Sequence, residues 1–313
     1  MSEPILNLDY IEFDGERAVP VMRPVIAETP WVLYVDRRER VTFMCSPVGL
    51  HHLALGFLLS EGAIAGLEDV WQLKAYLDED RVYMYFPAAG LDGELGMPAC
   101  GEAVGSIDVR LVRPAALRSE RRILTSGCGG GVTFDDLSGE RPPLASDLRL
   151  TTGQVALLMR QLNERATLYR AARGVHTSAL ADAERLLVLA EDVGRHNTLD
   201  KIRGACALGG VPTRDRVLVS SGRISSEMIG KARKMETPIV ISRTSPTAMS
   251  IRLAKAWNIT LIGYVRGRQM RVYAGAERVV FPDARLAPAR GDLKVREAGA
   301  ALDGADPRSI DER

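Results

Sequence analysis

The chain has 313 residues, enough for about two domains and a substantial hydrophobic core. Hydrophobic residues make up 46% and charged residues 26%, which argues against wholesale disorder and against a membrane-embedded class. With 41 basic against 40 acidic residues the net charge is +1, so no global field draws the chain to a nucleic acid polymer or an anionic membrane, and any anion site must be built locally. No apolar run reaches transmembrane length and Met1 to Asp14 has no basic n-region, so a cytoplasmic location is expected. Cys45, Cys100, Cys128 and Cys206 form no C-x-x-C pair, so neither a zinc site nor a permanent cofactor is expected, and the thiols should be free.

In chain order, Tyr10 to Met44 is strand-like, with Trp31–Val35 and Val41–Met44 forming a hairpin around the charged turn Asp36 to Arg40. Ser46 is placed to cap a following helix whose apolar residues Leu50, Leu53, Ala54, Phe57 and Leu58 recur at helical spacing and which Gly62 ends. His51 and His52 lie on that helix without an acidic or Cys partner at ligand spacing, and read as surface or boundary residues. Val70 to Leu77 and Arg81 to Phe86 read as a second hairpin. Glycines and prolines interrupt Ala88 to Arg122, which reads as a connection between domains.

Cys128 follows in Thr125-Ser126-Gly127-Cys128-Gly129-Gly130-Gly131, where four glycines suit a mobile loop that lets one thiol reach two partners. Leu137 to Arg149 reads as an irregular link. A single helix is expected from Thr152 to about Ala172, with the stripe Val155, Leu158, Met159, Leu162, Ala166 and Tyr169 and a stop at Gly174. Strand–loop–helix units then repeat: Leu186–Ala190 and a helix through Leu208, Val217–Val219 and a helix through Met235, Ile239–Ile241 and a helix through Trp257, then Ile259–Val265 and Met270–Ala274. The result is an α/β sheet. The region from 283 to 313 reads as a flexible tail.

Ligands of open α/β sheets bind outside the carboxyl ends of the strands, and here those ends carry Arg195, Arg223, Arg243, Arg266 and Arg268. Asn197, Ser225 or Ser226, and Thr247 are placed where each helix begins, so forked guanidinium donors and helix N-termini would converge on a pyrophosphate-bearing ligand. His176, just past a helix C-terminus, sits where the dipole favours its protonated form.

Several strings resemble the FdhD family of formate dehydrogenase accessory proteins. They are Gly174-Val175-His176; Glu191-Asp192-Val193-Gly194-Arg195-His196-Asn197 with Leu199-Asp200-Lys201; Ser220-Ser221-Gly222-Arg223 with Ser226-Glu227-Met228; and Ala54-Leu55-Gly56-Phe57-Leu58 with Ser60-Glu61-Gly62. The resemblance implies a sulfur carrier that accepts a persulfide from a cysteine desulfurase on Cys128. The sulfur then passes to the molybdenum (or tungsten) bis-pterin guanine dinucleotide cofactor, its client, before insertion into the formate dehydrogenase catalytic subunit. It implies cofactor contacts at Tyr264, Val265, Arg266, Gly267, Arg268 and Gln269, and at His176, Asp192, Arg195, His196, Asn197, Ser220, Ser221, Arg223 and Arg243.

The resemblance also implies a homodimer and an α/β fold: a three-layer α/β/α cytidine-deaminase-like main domain over 119–282 that carries the Cys128 loop, with a smaller N-terminal α+β domain over 1–118. Two departures stand out. Gly131 replaces the second cysteine of the family's C-x-x-C loop, so a resolving-thiol mechanism within that loop is excluded and the acceptor must take the terminal sulfur directly. Gln269 stands where many members have Arg. The missing second cysteine leaves a competing reading, a chaperone that delivers the cofactor without handling sulfur. A zinc-dependent nucleotide hydrolase is disfavoured, because the H-x-E and P-C-x-x-C pattern is absent.

Overall fold

The computed structural model describes residues 4–76, 82–87, 105–113, 123–124, 132–133 and 141–281. Cys128 and its flanking glycines, Cys100, and the expected tail lie outside the described residues. Every element described belongs to one compact unit that ends at Val280.

The chain opens with β1 (Ile5–Phe13) and β2 (Ala18–Ile26), an antiparallel hairpin whose Leu8, Tyr10, Ile11, Phe13, Val19 and Met22 are exposed. Next come β3 (Thr29–Val35) and β4 (Arg38–Cys45), joined as expected by a tight charged turn. Asp36 and Arg37 both take the left-handed conformation, φ 49° and 66°, of a two-residue type I′ connection. Asp tolerates that region better than most residues, whereas Arg37 does not favour it. Their strain is offset by bonds to a neighbouring strand: Asp36 N donates to Val109 O at 2.9 Å, and Asp36 Oδ1 accepts from Leu111 N at 3.0 Å.

The helix after the hairpin is α1 (Leu50–Glu61), which starts at Gly49 rather than at Ser46. The hydroxyl of Ser46 is drawn instead into a buried contact with a distant loop, described below, so the turn from Ser46 to Gly49 precedes the helix. Gly62 ends α1 in the left-handed conformation, as expected. The second hairpin is present as β5 (Val70–Tyr76) and β6 (Val82–Pro87). The supposed connection contains a strand, β7 (Gly105–Leu111), which takes a central place in a five-stranded sheet ordered β4-β3-β7-β5-β6. Its alternating Gly105, Ile107 and Val109 are buried, the period-2 pattern of a half-covered strand. Short β8 (Ile123–Leu124) and β9 (Val132–Thr133) pair antiparallel on either side of residues 125–131.

The expected long helix is broken in two. After β10 (Leu150–Thr151), α2 (Thr152–Arg165) carries the buried stripe Val155, Leu158, Met159 and Leu162, and α3 (Thr167–Ala172) restarts beyond Ala166. The carboxylate of Glu191 causes the break: it accepts from Leu168 N at 2.8 Å, Tyr169 N at 3.0 Å and Thr167 Oγ1 at 3.1 Å, so it caps a new helix start inside the periodic run.

The remaining elements are β11 (His176–Ala181), β12 (Leu186–Asp192), α4 (Arg195–Leu208), β13 (Val217–Ser220), α5 (Ser226–Lys234), β14 (Ile239–Ser242), α6 (Ala248–Ala256), β15 (Thr260–Arg266), β16 (Gln269–Ala274) and β17 (Val279–Val280). The last pairs in parallel with β10. Six strands form one sheet in the order β12-β11-β13-β14-β15-β16. β13, β14 and β15 run parallel, and β11 and β16 run against their neighbours. Alternation along each strand splits the core. Leu180, Leu218, Val240 and Leu261 pack with Leu199, Ile202, Met228, Ile229, Ala232 and Trp257 of the α4–α6 side. Ala179, Val217, Val219, Ile239, Ile241 and Ile262 pack with α2. The sheet is therefore the middle of three layers.

α1 is covered on two sides. Leu53, Leu55, Phe57 and Leu58 share a core with Leu33, Ile107, Val109 and Leu73 of the five-stranded sheet, and its other side lies on α4. Glycines set that crossing: a Cβ on Gly56 would lie 1.8 Å from Asp200 O, and one on Gly204 2.1 Å from His52 O. Only bare backbones can come this close. The helices are also held by charge, since Asp200 accepts from Ser60 Oγ at 2.9 Å and from Lys231, and Lys234 donates to Ser60 O. His51 and His52 stack at 3.8 Å at the start of α1, and burial holds their pKa values down at about 3 and about 4.

Candidate functional site

Because β11 runs against β12 and β13, its first residue lies at the same sheet edge as the last residues of its neighbours. His176 pairs with Asp192, Ser178 with Ser220, and Ser220 with Ser242. Strands that are otherwise apolar end there in hydroxyls, Val217–Ser220 and Ile239–Ser242. These form a buried ladder: Thr198 Oγ1 donates to Ser178 Oγ at 2.8 Å, Ser178 Oγ to Ser220 Oγ at 2.9 Å, and Ser242 Oγ to Gly222 O at 2.7 Å. The ladder fixes the loops that follow each strand. Ser178, Thr198, Ser242 and Thr244 were not read as site residues from sequence, although the polar endings of apolar strands were a usable signal.

The motif around Asp192 divides into two sets. Asp192 is fully buried, and its carboxylate accepts from Gly194 N at 2.7 Å, Asn197 Nδ2 at 2.9 Å, Ser46 N at 3.2 Å and Lys201 Nζ at 2.5 Å. Asn197 lies in the first turn of α4, not at its cap, which is Gly194, and the same amide nitrogen reaches Met44 O at 3.0 Å. Asp192 and Asn197 are thus engaged inside the protein.

Arg195 and His196 face the sheet edge. Gly222 lets His176 and Arg195 approach one another, since a Cβ there would lie 3.2 Å from both His176 Nδ1 and Arg195 Cβ. His196 Nε2 lies 2.9 Å from Glu227 Oε2 and 3.0 Å from Ser225 Oγ. Ser225 stands at the N-cap of α5, but its hydroxyl serves His196 rather than the helix, whereas Thr247 caps α6 by accepting from Ser250 N at 3.2 Å.

His176 does not behave as the helix-end reading expects. Burial, then the neighbouring Arg195 and His196 side chains, push its pKa below the ordinary imidazole value, with Asp192 opposing, so the neutral ring is favoured. The cause is its place in a strand beneath Arg195; α3 ends at Ala172 and its dipole does not decide.

His176, Ser221 and Arg243 line a cavity of about 240 Å³ together with Leu162, Tyr169, Val175 and Thr244. The α2–α3 break forms its outer wall. Ser221 Oγ accepts from Thr177 N at 2.9 Å, so the β13–α5 loop is tied to β11. Arg223, Arg243, Arg266, Arg268 and Gln269 are solvent-exposed.

Tyr264, Val265 and Arg266 close β15, Gly267 and Arg268 make the turn, and Gln269 opens β16. Register slips between Gly263 and Arg266, and Tyr264 takes φ 54°, a left-handed conformation unusual for an aromatic residue. The bulge turns Tyr264 N toward Thr244 O at 3.0 Å, and Arg271 covers its ring at 4.2 Å from the centroid. This segment is thereby fastened to the loop that bears Arg243.

The two described thiols are unsuited to nucleophilic work. Cys45 and Cys206 are buried, and burial pushes both away from the thiolate, Cys206 to about 11 and Cys45 further, with Asp192 adding to the effect. Among the described residues no group of three or more His, Cys, Asp or Glu side chains is arranged to hold a metal ion, and no helix is long and apolar enough to cross a membrane.

Residues 26–280, which span both sheets and the whole of this edge, match the FdhD/NarQ family. The chain belongs to that family. Relatives in the FdhD/NarQ family include the sulfur carrier protein FdhD of Bacillus pumilus, 34% identical over 260 residues covering 82% of this chain and 90% of the relative. The sulfur carrier protein FdhD of Bacillus subtilis is 33% identical over 261 residues, with the same shares of 82% and 90%. The fold is also that of a crystal structure from Desulfotalea psychrophila, provisionally described as a formate dehydrogenase accessory protein, with a TM-score of 0.68, 24% identity, and coverage of 89% of this chain and 100% of that one.

Proposed function

We propose that this FdhD/NarQ member is a sulfur carrier in formate dehydrogenase maturation. Cys128 accepts sulfur as a persulfide from a cysteine desulfurase: its thiolate takes the outer sulfur of the donor's persulfide, and the donor leaves as thiolate. The terminal sulfur then passes to the molybdenum or tungsten bis-pterin guanine dinucleotide cofactor, bound as client before its insertion into the formate dehydrogenase catalytic subunit. The observation that carries the reading is the convergence of His176, Arg195, Ser221 and Arg243 around one sheet edge and cavity, with Arg266 and Arg268 on the adjoining hairpin. Exposed forked guanidinium groups suit pyrophosphate oxygens, and an apolar cavity closed by a neutral imidazole suits a planar base.

Gly131 in place of a second loop cysteine requires an electron-pair donor on the acceptor to attack the persulfide's outer sulfur itself, breaking the S–S bond and releasing Cys128 as thiolate. Cys45 and Cys206, buried and protonated, support a carrier role elsewhere in the chain. The reading includes a cytidine-deaminase-like main domain from residue 119, a cytoplasmic setting and a homodimer.

The test is intact-mass spectrometry after incubation with a cysteine desulfurase and cysteine. The wild type should gain the mass of one sulfur atom and Cys128→Ala should not. A gain on Cys128→Ala sinks the assignment. No gain on either protein while the desulfurase turns over favours the second reading, a cofactor-delivering chaperone, which the missing second cysteine motivates.

A further inference from the structure

The segment Met44–Cys45–Ser46 at the end of β4 is remote in sequence from every residue placed at the sheet edge, yet it is built into the loop that presents Arg195 and His196. Ser46 is fully buried; its N–H and hydroxyl are engaged by that loop and its carbonyl by Lys201 of α4. Ser46 N donates to Asp192 Oδ2 at 3.2 Å, Ser46 Oγ accepts from Val193 N at 3.2 Å, and Ser46 O accepts from Lys201 Nζ at 3.1 Å. Met44 O accepts from Asn197 Nδ2 at 3.0 Å. Asp192, itself fully buried, joins the two sides by also holding Gly194 N and Lys201 Nζ.

The chain on either side of Arg195 is therefore held by the backbone N–H groups of Val193 and Gly194 and by the side chain of Asn197, and the Val193 and Asn197 anchors lead to the β4 strap. We infer that Ser46 and Asn197 are positioning residues, which lock the first turn of α4 to the Met44–Ser46 strap so that Arg195 and His196 are held ready at the nucleotide-binding edge.

This inference rests on the ligand reading above, and it gives the five-stranded sheet a part in that site. It also separates Arg195, which the ligand reading places at the nucleotide, from Asp192 and Asn197, whose polar atoms are spent in holding the loop. An Asn whose amide nitrogen already serves Asp192 and a backbone carbonyl, and a Ser whose N–H, hydroxyl and carbonyl are all engaged, act through their neighbours.

The probe is GDP, which carries the guanine and pyrophosphate of the client, with binding followed by calorimetry. Backbone exchange of Val193–Asn197 is followed by hydrogen–deuterium exchange mass spectrometry on the same proteins without ligand. Ser46→Ala and Asn197→Ala should each weaken GDP binding about tenfold, as expected when contact groups are misplaced by a fraction of an ångström, and should speed exchange in Val193–Asn197. Ser46→Thr, which keeps the hydroxyl, should restore both. Ile107→Val, a core truncation in the five-stranded sheet, should leave both unchanged. Circular dichroism checks folding, and Asn197→Ala, on a partly exposed residue, carries the test if Ser46→Ala fails to fold.

GDP affinity and exchange equal to wild type in both alanine variants, with Arg195→Gln still impaired, would overturn the positioning role alone. A wild type that does not bind GDP, or an Arg195→Gln that binds it normally, would overturn the ligand reading and this inference with it.

Discussion

Replacing Gly56 by alanine would test whether the bare-backbone crossing of α1 and α4 holds the two sheets together. The added Cβ would lie 1.8 Å from Asp200 O and 2.8 Å from Gly204 N, whereas an ordinary contact needs about 3.4 Å or more. The obstacle is backbone inside another helix, so no rotamer change relieves it, and the helices must separate by about 1.5 Å. A gap of even 0.5–1 Å forfeits roughly a quarter to a half of each dispersion contact along the seam. Overpacking of this kind costs about 1–3 kcal/mol, and rigid opposition puts the cost at the upper end. Alanine returns about 1 kcal/mol of helix propensity, for a net loss of about 2 kcal/mol.

Gly153 in α2 provides the control. The nearest atom to its added Cβ is Thr151 Oγ1 at 3.8 Å, so Gly153→Ala should be neutral or stabilising by up to about 1 kcal/mol. Urea unfolding followed by circular dichroism should therefore place the two variants about 2–3 kcal/mol apart. Equal midpoints for Gly56→Ala and wild type would refute the argument.

Two further outcomes are expected. His51 and His52 have folded pKa values of about 3 and about 4 against an unfolded value of 6.5, held down by burial. The folded state thus binds fewer protons, so their contribution is fully present above about pH 6.5 and is lost as pH falls toward 4; the thermal midpoint should drop over that window, and less steeply in His51→Gln/His52→Gln. Brief alkylation of the native protein with iodoacetamide at pH 7, read by peptide mass spectrometry, should leave Cys45 and Cys206 unmodified while urea makes both reactive; fast native labelling of either would contradict their burial.

The repeating strand–loop–helix units after Gly174 were legible because each signal is local: a short apolar run, a polar loop, a helical stripe. What the sequence hid are features decided by distant partners. The β7 strand was masked by surrounding glycines, although Gly105, Ile107 and Val109 alternate; its central position depends on pairing with β3 and β5. The α2–α3 break was invisible in a stripe that remains periodic through Ala166, because a carboxylate more than twenty residues away makes it. Ser46 had the makings of a helix cap, and lost that role to a loop 146 residues downstream. The strand-end positions of the arginines were legible because each follows an apolar run, while the internal engagement of Asn197 needed side-chain geometry.

The double covering of α1 has a consequence for synthesis. One side of this helix is sheltered by strands complete by Leu111, but the side bearing Gly56 waits for Asp200 and Gly204. At about 5–20 residues per second, a nascent chain would carry α1 half-covered for roughly 5–20 s, the time to translate the 97 residues from Leu111 to the end of α4 at Leu208. During that interval the helix surface bearing His52, Gly56 and Ser60 faces the ribosome's surroundings. A trailing helix must arrive before the leading half of the chain is finished, which makes this stretch of translation the period in which a chaperone is of most use to the molecule.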